Sequence, residues 1–307
     1  MRAITVSSWG ATPTFTASHP DPASSEESVT LKVLAAGLHQ LVRSQATGTH
    51  YSTKTTTMPY IPGADGVGET PDGKRVYFNS IATGGAFAES ITVPNSAITP
   101  IPEGADPVVI AGLTNPGMSS WMAFAGRVLP ELPKNFTVVI TGATAISAKV
   151  AVQFARAKGA GKIIGVARNA KELAAIPDLD ERITLANDPG ETDFSSLGDV
   201  DLILDYLYGP AIVALFNQLK SNVPTQFVQI GTVAGPDIAL PGAVLRSKNI
   251  TIRGAGPGAW AMSQFAKELP VLLESVSKLP DMQLTTRKLE EVDAAWANKK
   301  ERTVFVP

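Results

Sequence analysis

The chain has no cysteine in its 307 residues. That absence removes disulfides, thiolate nucleophiles and cysteine-ligated zinc together. It is in keeping with a reducing, cytoplasmic location. Histidine is scarce too. His19, His39 and His50 are the only three, and none is paired with another at helical metal-binding spacing, so no metal site is expected. Charge of one sign is also missing. Lys and Arg total 26 against 28 Asp and Glu, a net charge of −2 with no basic block. Neither nucleic acid nor an anionic membrane surface is therefore an expected partner. No apolar run approaches the length that crosses a bilayer. The stretch from Met1 to Val6 reads as a strand, with no signal-peptide core behind it. There is no internal repeat.

What is present describes a globular α/β protein long enough for two domains. Hydrophobic residues make up 44% and charged residues 18%. Residues 1–100 are β-rich, with strands expected at 29–38, 75–79 and 87–93 between Gly, Pro and Thr clusters. Residues 44–58 are polar and read as a surface loop. The glycine-dense stretch 62–68 reads as a pair of turns. From Asp106 the periodicity becomes helical. Short apolar strands then recur at 136–141, 162–167, 200–206, 226–231 and 250–254, separated by helical segments such as 210–219. That alternation implies a doubly wound parallel sheet. Helical stretches at 259–277 and 289–299 precede a closing strand at 303–305.

The richest stretch begins at Phe136. A β-branched run to Thr141 ends at Gly142, and Ala148, Ala151, Val152 and Ala155 then form one small-residue helical face. Such strand–turn–helix–strand units place a pyrophosphate on the first turn of a helix. The usual fingerprint has three glycines; here Gly142 stands alone, with Ala145 and Ala148 at the later positions. Ala148 still lets helix and strand pack closely. Ala145 puts a methyl group where phosphate approaches, so the turn alone is also consistent with a βαβ unit that binds nothing. The end of the next strand favours a ligand. An enzyme selecting NAD places a carboxylate there; this chain has Arg168-Asn169, and a guanidinium fork suits a 2′-phosphate.

With these residues placed, the chain resembles the zinc-independent quinone oxidoreductase branch of the medium-chain dehydrogenase/reductase superfamily. The markers are VLAAGLH (33–39), IPGADGVG (61–68), NPGMSSWMA (115–123), VVITGATAISAKVAVQFA (138–155), GVARN (165–169), LDYLYGP (204–210), VQIGTVAG (228–235) and LRSKNITIRGAGPG (245–258). The resemblance implies a GroES-like β-barrel domain from residues 1–112 and 258–307. It also implies a Rossmann NADP(H)-binding domain from 113–257, with the active site in the cleft. Zinc-dependent relatives carry metal ligands that align with His39 and Ala64, and both are replaced. NADPH contacts are implied at Gly142, Ala143, Thr144, Ala145 and Ile146 for the pyrophosphate. Arg168 and Asn169 are implied at the adenosine phosphate, and Ile230, Gly231 and Thr232 near the nicotinamide ribose. Ser119 aligns with a Thr that approaches the nicotinamide, His39 with a pocket Asn, and Tyr51 lies near a pocket tyrosine.

Three side chains are candidates for the chemistry: His39, Tyr51 and Ser119. His39 titrates near neutrality and suits a proton donor, or it is a pocket-wall residue bonded to a neighbour. Tyr51 could donate to a substrate oxygen. Ser119-Ser120 lacks a nucleophile elbow and identifiable His–Asp partners, so a hydrolase is not expected. Asp205 reads as a structural acceptor. The expected activity is NADPH-dependent hydride transfer to a quinone or an α,β-unsaturated carbonyl compound. Two alternatives are a non-redox member, such as a biosynthetic cyclase, and an NADPH-binding sensor without turnover. The strand at 250–254 ends the sheet, and relatives pair this edge across a two-fold axis, so a homodimer is expected.

Overall fold

The computed structural model describes residues 1–50, 53 and 56–307. The chain divides into two compact units, residues 1–116 with 269–307 and residues 117–268.

The first unit opens with β1 (Ala3–Thr5) and β2 (Thr14–Thr16), an antiparallel pair. The long strand β3 (Ser28–Gly37) leads into a short helix α1 (Gln40–Ala46), and β4 (Asp65–Glu69), β5 (Arg75–Asn79), β6 (Ser90–Pro94) and β7 (Ile98–Pro100) follow. Residues 44–46, which read as the start of the polar loop, belong to this helix. They are helical because Val42, Gln45 and Ala46 turn one face inward, in a segment too short to show a periodic signature. The glycine-dense stretch is also not simply a pair of turns. Gly66 and Gly68 lie within β4, where a Cβ on Gly66 would come 2.5 Å from the Ala35 carbonyl oxygen. Close backbone approach across the β3–β4 pair, rather than a turn, requires glycine here.

Helix α2 (Pro107–Gly126) carries the chain into the second unit. There β8 (Thr137–Thr141), α3 (Ile146–Ala157), β9 (Lys162–Ala167), α4 (Ala170–Ala174), β10 (Glu181–Thr184), β11 (Leu202–Asp205), α5 (Pro210–Gln218), β12 (Thr225–Gln229), α6 (Gly242–Ser247) and β13 (Ile250–Gly254) succeed one another. All neighbouring pairs are parallel, in the order β10-β9-β8-β11-β12-β13. Renumbered from β8, this is the 3-2-1-4-5-6 order of a dinucleotide-binding sheet. Apolar residues clothe both faces, as a parallel sheet demands. Val138 and Ile140 pack with Ala148, Ala151, Val152 and Ala155 on one side. Val139 packs with Ile203, Ile212 and Phe216 on the other. The order reverses between β8 and β11, and this is where a crevice opens at the carboxyl ends of the strands.

Helix α7 (Met262–Ser277) returns the chain to the first unit, which closes with β14 (Leu284–Arg287), α8 (Val292–Ala297) and β15 (Arg302–Phe305). β15 pairs antiparallel with β3, so the last strand completes a seven-stranded sheet of order β14-β15-β3-β4-β5-β7, with β6 also paired to β3. This is the GroES-like unit, and Phe87 meets Phe305 edge-on in its core, ring centroids 4.8 Å apart.

Candidate functional site

Gly142 ends β8 with φ +66°, a conformation that costs a side-chain-bearing residue energy. A Cβ there would also stand 3.3 Å from Tyr206 and Leu207. The chain then reaches Ala145, the N-cap of α3, at φ −72° and ψ 147° with no side-chain hydrogen bond to the helix. Those angles are open to any residue. Alanine carries no oxygen to cap the helix, so the first-turn amides of this twelve-residue helix are left to an outside acceptor.

Ala145, the N-cap of this helix, borders a cavity of about 550 Å³ in the second unit. Gly142, Thr144 and Ala145 form its wall at the end of β8. Ala167, Arg168 and Asn169 enter from the end of β9, with Glu172 beyond them on α4. Leu185, Tyr206, Leu207 and Val233 complete it from the segments after β10, β11 and β12. Five strand ends thus converge on one groove, the place where open parallel sheets bind ligands.

The two arms of the groove differ in how they are held. Asn169 is committed to structure: its Oδ1 accepts from the backbone N–H groups of Lys171 and Glu172, both at 3.1 Å, and caps α4. Arg168 is exposed and makes no hydrogen bond or ion pair with another described residue. Near the centre, buried Asp205 is a hub. It accepts from Thr141 Oγ1 at 2.5 Å and from the amides of Leu207 and Tyr208, while its carbonyl accepts from Ile230 and Gly231 N–H. Burial pushes its carboxyl up to about 6, against the pull of those donors. Gly231 approaches so closely that a Cβ would lie 2.6 Å from the Tyr206 carbonyl oxygen.

Of the expected site residues, Gly142, Thr144, Ala145, Arg168 and Asn169 line the cavity together. Ala143 is fully buried, with its N–H on the Val166 carbonyl. Ile146 is the first residue of α3. Ile230, Gly231 and Thr232 precede Val233 in the chain, and of these four Val233 lines the cavity. Ser119 Oγ lies 3.4 Å from the hydroxyl of Tyr206, a buried phenol pushed up to about 12 by desolvation. Tyr51 lies outside the described residues. Sequence reading passed over Glu172, Tyr206 and Val233. Glu172 sits only three residues past Asn169, near enough for a helix start to turn it into the same groove.

His39 lies in the first unit, at the start of α1, 2% exposed. Its Nε2 is 2.7 Å from Oδ1 of Asp65, whose Oδ2 accepts from the Tyr77 hydroxyl, also at 2.7 Å. Its Nδ1 is met by the guanidinium of Arg302, which also donates to the carbonyls of Gly112 and Leu38. A guanidinium only donates, so Nδ1 is the acceptor and the proton sits on Nε2, facing Asp65. Burial lowers the His39 pKa, with Arg302 adding to the effect and Asp65 opposing it. Burial likewise draws Arg302 down to about 10. Both ring nitrogens are therefore engaged within the protein. Gly37 leaves room for this ring, since a Cβ there would collide with it. Among the described residues, no three His, Cys, Asp or Glu side chains gather as metal ligands, and no helix is long and apolar enough to cross a membrane.

A GroES-like unit joined to a 3-2-1-4-5-6 parallel sheet defines a medium-chain dehydrogenase/reductase. A curated protein of Emericella nidulans, described as "Probable NADPH-dependent quinone reductase tdiC", is 31% identical over 356 residues, covering 100% of each chain. The chain belongs to the quinone oxidoreductase branch of that superfamily. No family model matches it. Among solved structures, the quinone oxidoreductase of Thermus thermophilus, determined alone and with NADPH, is 23% identical over both full chains, with a TM-score of 0.75. A mycobacterial quinone oxidoreductase reaches 0.82 at 16% identity, again over both full chains. A thermostable alcohol dehydrogenase from Pyrobaculum aerophilum gives 0.76 at 21% identity, over 100% of this chain and 99% of its own. At these identities the structural likeness concerns the fold.

Proposed function

We propose that this chain is an NADPH-dependent reductase that transfers hydride to a quinone or an α,β-unsaturated carbonyl compound without a metal. The observation that carries the proposal is the uncapped N-terminus of α3 at the mouth of a groove that also holds a guanidinium with no partner among the described residues. Pyrophosphate is an anion that backbone amides and a helix dipole bind without any particular side chain. A 2′-phosphate is an anion that Arg168 binds as a fork. The residues present therefore fit the dinucleotide. Gly142, Thr144 and Ala145 would hold the pyrophosphate, Arg168 the adenosine phosphate, and the segment at 230–233 the nicotinamide side. NADPH, when bound, supplies a hydride.

The protein's part is to bind, orient and exclude water. The Asp205 hub fixes the 206–208 turn and the 230–231 segment against each other, so both walls of the groove keep their distance. Ser119, beside Tyr206, is assigned to the nicotinamide end. With both its nitrogens engaged, His39 is assigned a positioning role in its own unit. The proton that accompanies the hydride comes from solvent or from Tyr51. The metal-free reading rests on the residues: His39 and Ala64 stand at positions that are ligands in zinc-dependent relatives, and Ala64 has no donor atom. A cytoplasmic location suits a chain without cysteine. We assign the dimer contact to β13, where Ile252 and nearby Leu245 remain exposed.

The test combines NADPH titration, followed by its fluorescence, with turnover on a panel of quinones and enones. Saturable binding with NADPH consumption by at least one acceptor class supports the proposal. Binding without consumption by any of them would make the chain a sensor. Absence of binding would move it to non-redox chemistry.

A further inference from the structure

Arg168 and Glu172 carry opposite charges and line the same cavity, yet no ion pair within 4.0 Å joins them. Both side chains are exposed, so each is available to whatever enters the groove. Asn169, which stands between them in the chain, is withdrawn into its cap. The helix that carries Glu172 is also anchored: Leu173 is fully buried, and Arg182 donates to the carbonyls of Leu173 at 3.2 Å and Ile176 at 2.7 Å. Glu172 is therefore held on the cavity wall by its own element.

We propose that Glu172 is a specificity-determining residue that counterweighs Arg168, making the adenosine end of the groove a divided site that takes both NADPH and NADH. The proposal rests on the reductase reading above and deepens it. The chemistry is a competition of charges. A 2′-phosphate carries nearly two negative charges, which Arg168 attracts and Glu172 repels. A free ribose hydroxyl donates a hydrogen bond that a carboxylate accepts and a guanidinium does not. Each cofactor thus meets one favourable partner on the wall, and the preference for NADPH that Arg168 alone would set is reduced. Because both groups are solvated, the counterweight is modest and screened by salt.

Dissociation constants for NADPH and NADH, measured by fluorescence titration on the unmutated protein and on Glu172→Gln, test this. The NADPH-to-NADH affinity ratio should rise about three- to tenfold in Glu172→Gln, and the rise should shrink as ionic strength increases. Glu191→Gln, an equal charge change at an exposed residue outside the cavity wall, should leave the ratio unchanged. Arg168→Ala should lose NADPH affinity while keeping that for NADH. An unaltered ratio in Glu172→Gln, with melting temperature retained, overturns the proposal while leaving the reductase reading intact. Failure of the unmutated protein to bind either cofactor overturns the reductase reading itself.

Discussion

Ala145 shows how a departure from a fingerprint can be harmless at the level of one residue. The concern raised by the sequence was a methyl group at the phosphate approach, and its weight depends on backbone angles that a sequence does not reveal. At φ −72° and ψ 147° the position needs no glycine. Ala145→Gly should therefore change NADPH affinity by less than about 1 kcal/mol, through added chain flexibility alone. Calorimetry on the variant checks this. A tenfold gain in affinity would mean that the methyl group obstructs the site. Ala145→Leu, by contrast, should abolish binding by filling the groove. Gly142 is the opposite case, with positive φ and a tight wall opposite it, and it was legible from the strand that it ends. Arg168 was legible because a missing carboxylate is visible in a sequence. Glu172 carried only the signal of its spacing from Asn169, and Tyr206 carried none, since the fold alone turns it toward the same cavity.

On the scale of elements, the His39 cluster ties α1, β4, β5 and β15 together. Its members come from positions 39, 65, 77 and 302, and no local pattern links residues so far apart. The His39 side chain alone left two readings open, a proton donor or a pocket-wall residue bonded to a neighbour, and both ring nitrogens are engaged within the protein. A pH dependence follows, with its sign fixed by the direction of the shift. Burial lowers the pKa of folded His39 below the unfolded value of about 6.5. The unfolded chain then binds the extra proton first, so this contribution is present above about pH 6.5 and is lost as pH falls toward the folded pKa. Asp205 acts the other way. Its folded pKa, raised to about 6, contributes stability that is present at low pH and lost as pH rises through that value. Comparison with His39→Gln separates the two. Between neutral pH and about pH 5, the melting temperature of the unmutated protein should lose ground relative to that of the variant, and parallel curves would contradict the assignment. Arg302→Met should cost about 3–5 kcal/mol in chemical denaturation, because it leaves the buried Asp65–His39 pair without its cation.

For the whole molecule, the alternation of short apolar strands and helices was enough to read the parallel sheet, and the closing strand at 303–305 to read the return of the chain. Less visible were β10, which has one buried residue in four, and β14, which has none, because strands so little buried leave no apolar signature. Assembly belongs to this scale as well. Arg253 donates to the Arg127 carbonyl at 3.3 Å, and Ile252 is the exposed apolar residue of β13. Light scattering at micromolar concentration should give a dimer mass, and Ile252→Lys should shift it toward the monomer. A monomer in the unmutated protein would remove the β13 contact. Function at this scale requires the groove at the strand ends to hold NADPH in position to reduce an acceptor. A single-turnover experiment tests it most directly: the protein is loaded with a stoichiometric amount of NADPH and mixed with quinone, and the nicotinamide absorbance is followed. The account predicts loss of the reduced nicotinamide signal in the unmutated protein and no enzyme-dependent loss in Ala145→Leu. An unchanged signal in the unmutated protein, or equal loss in both, would contradict it.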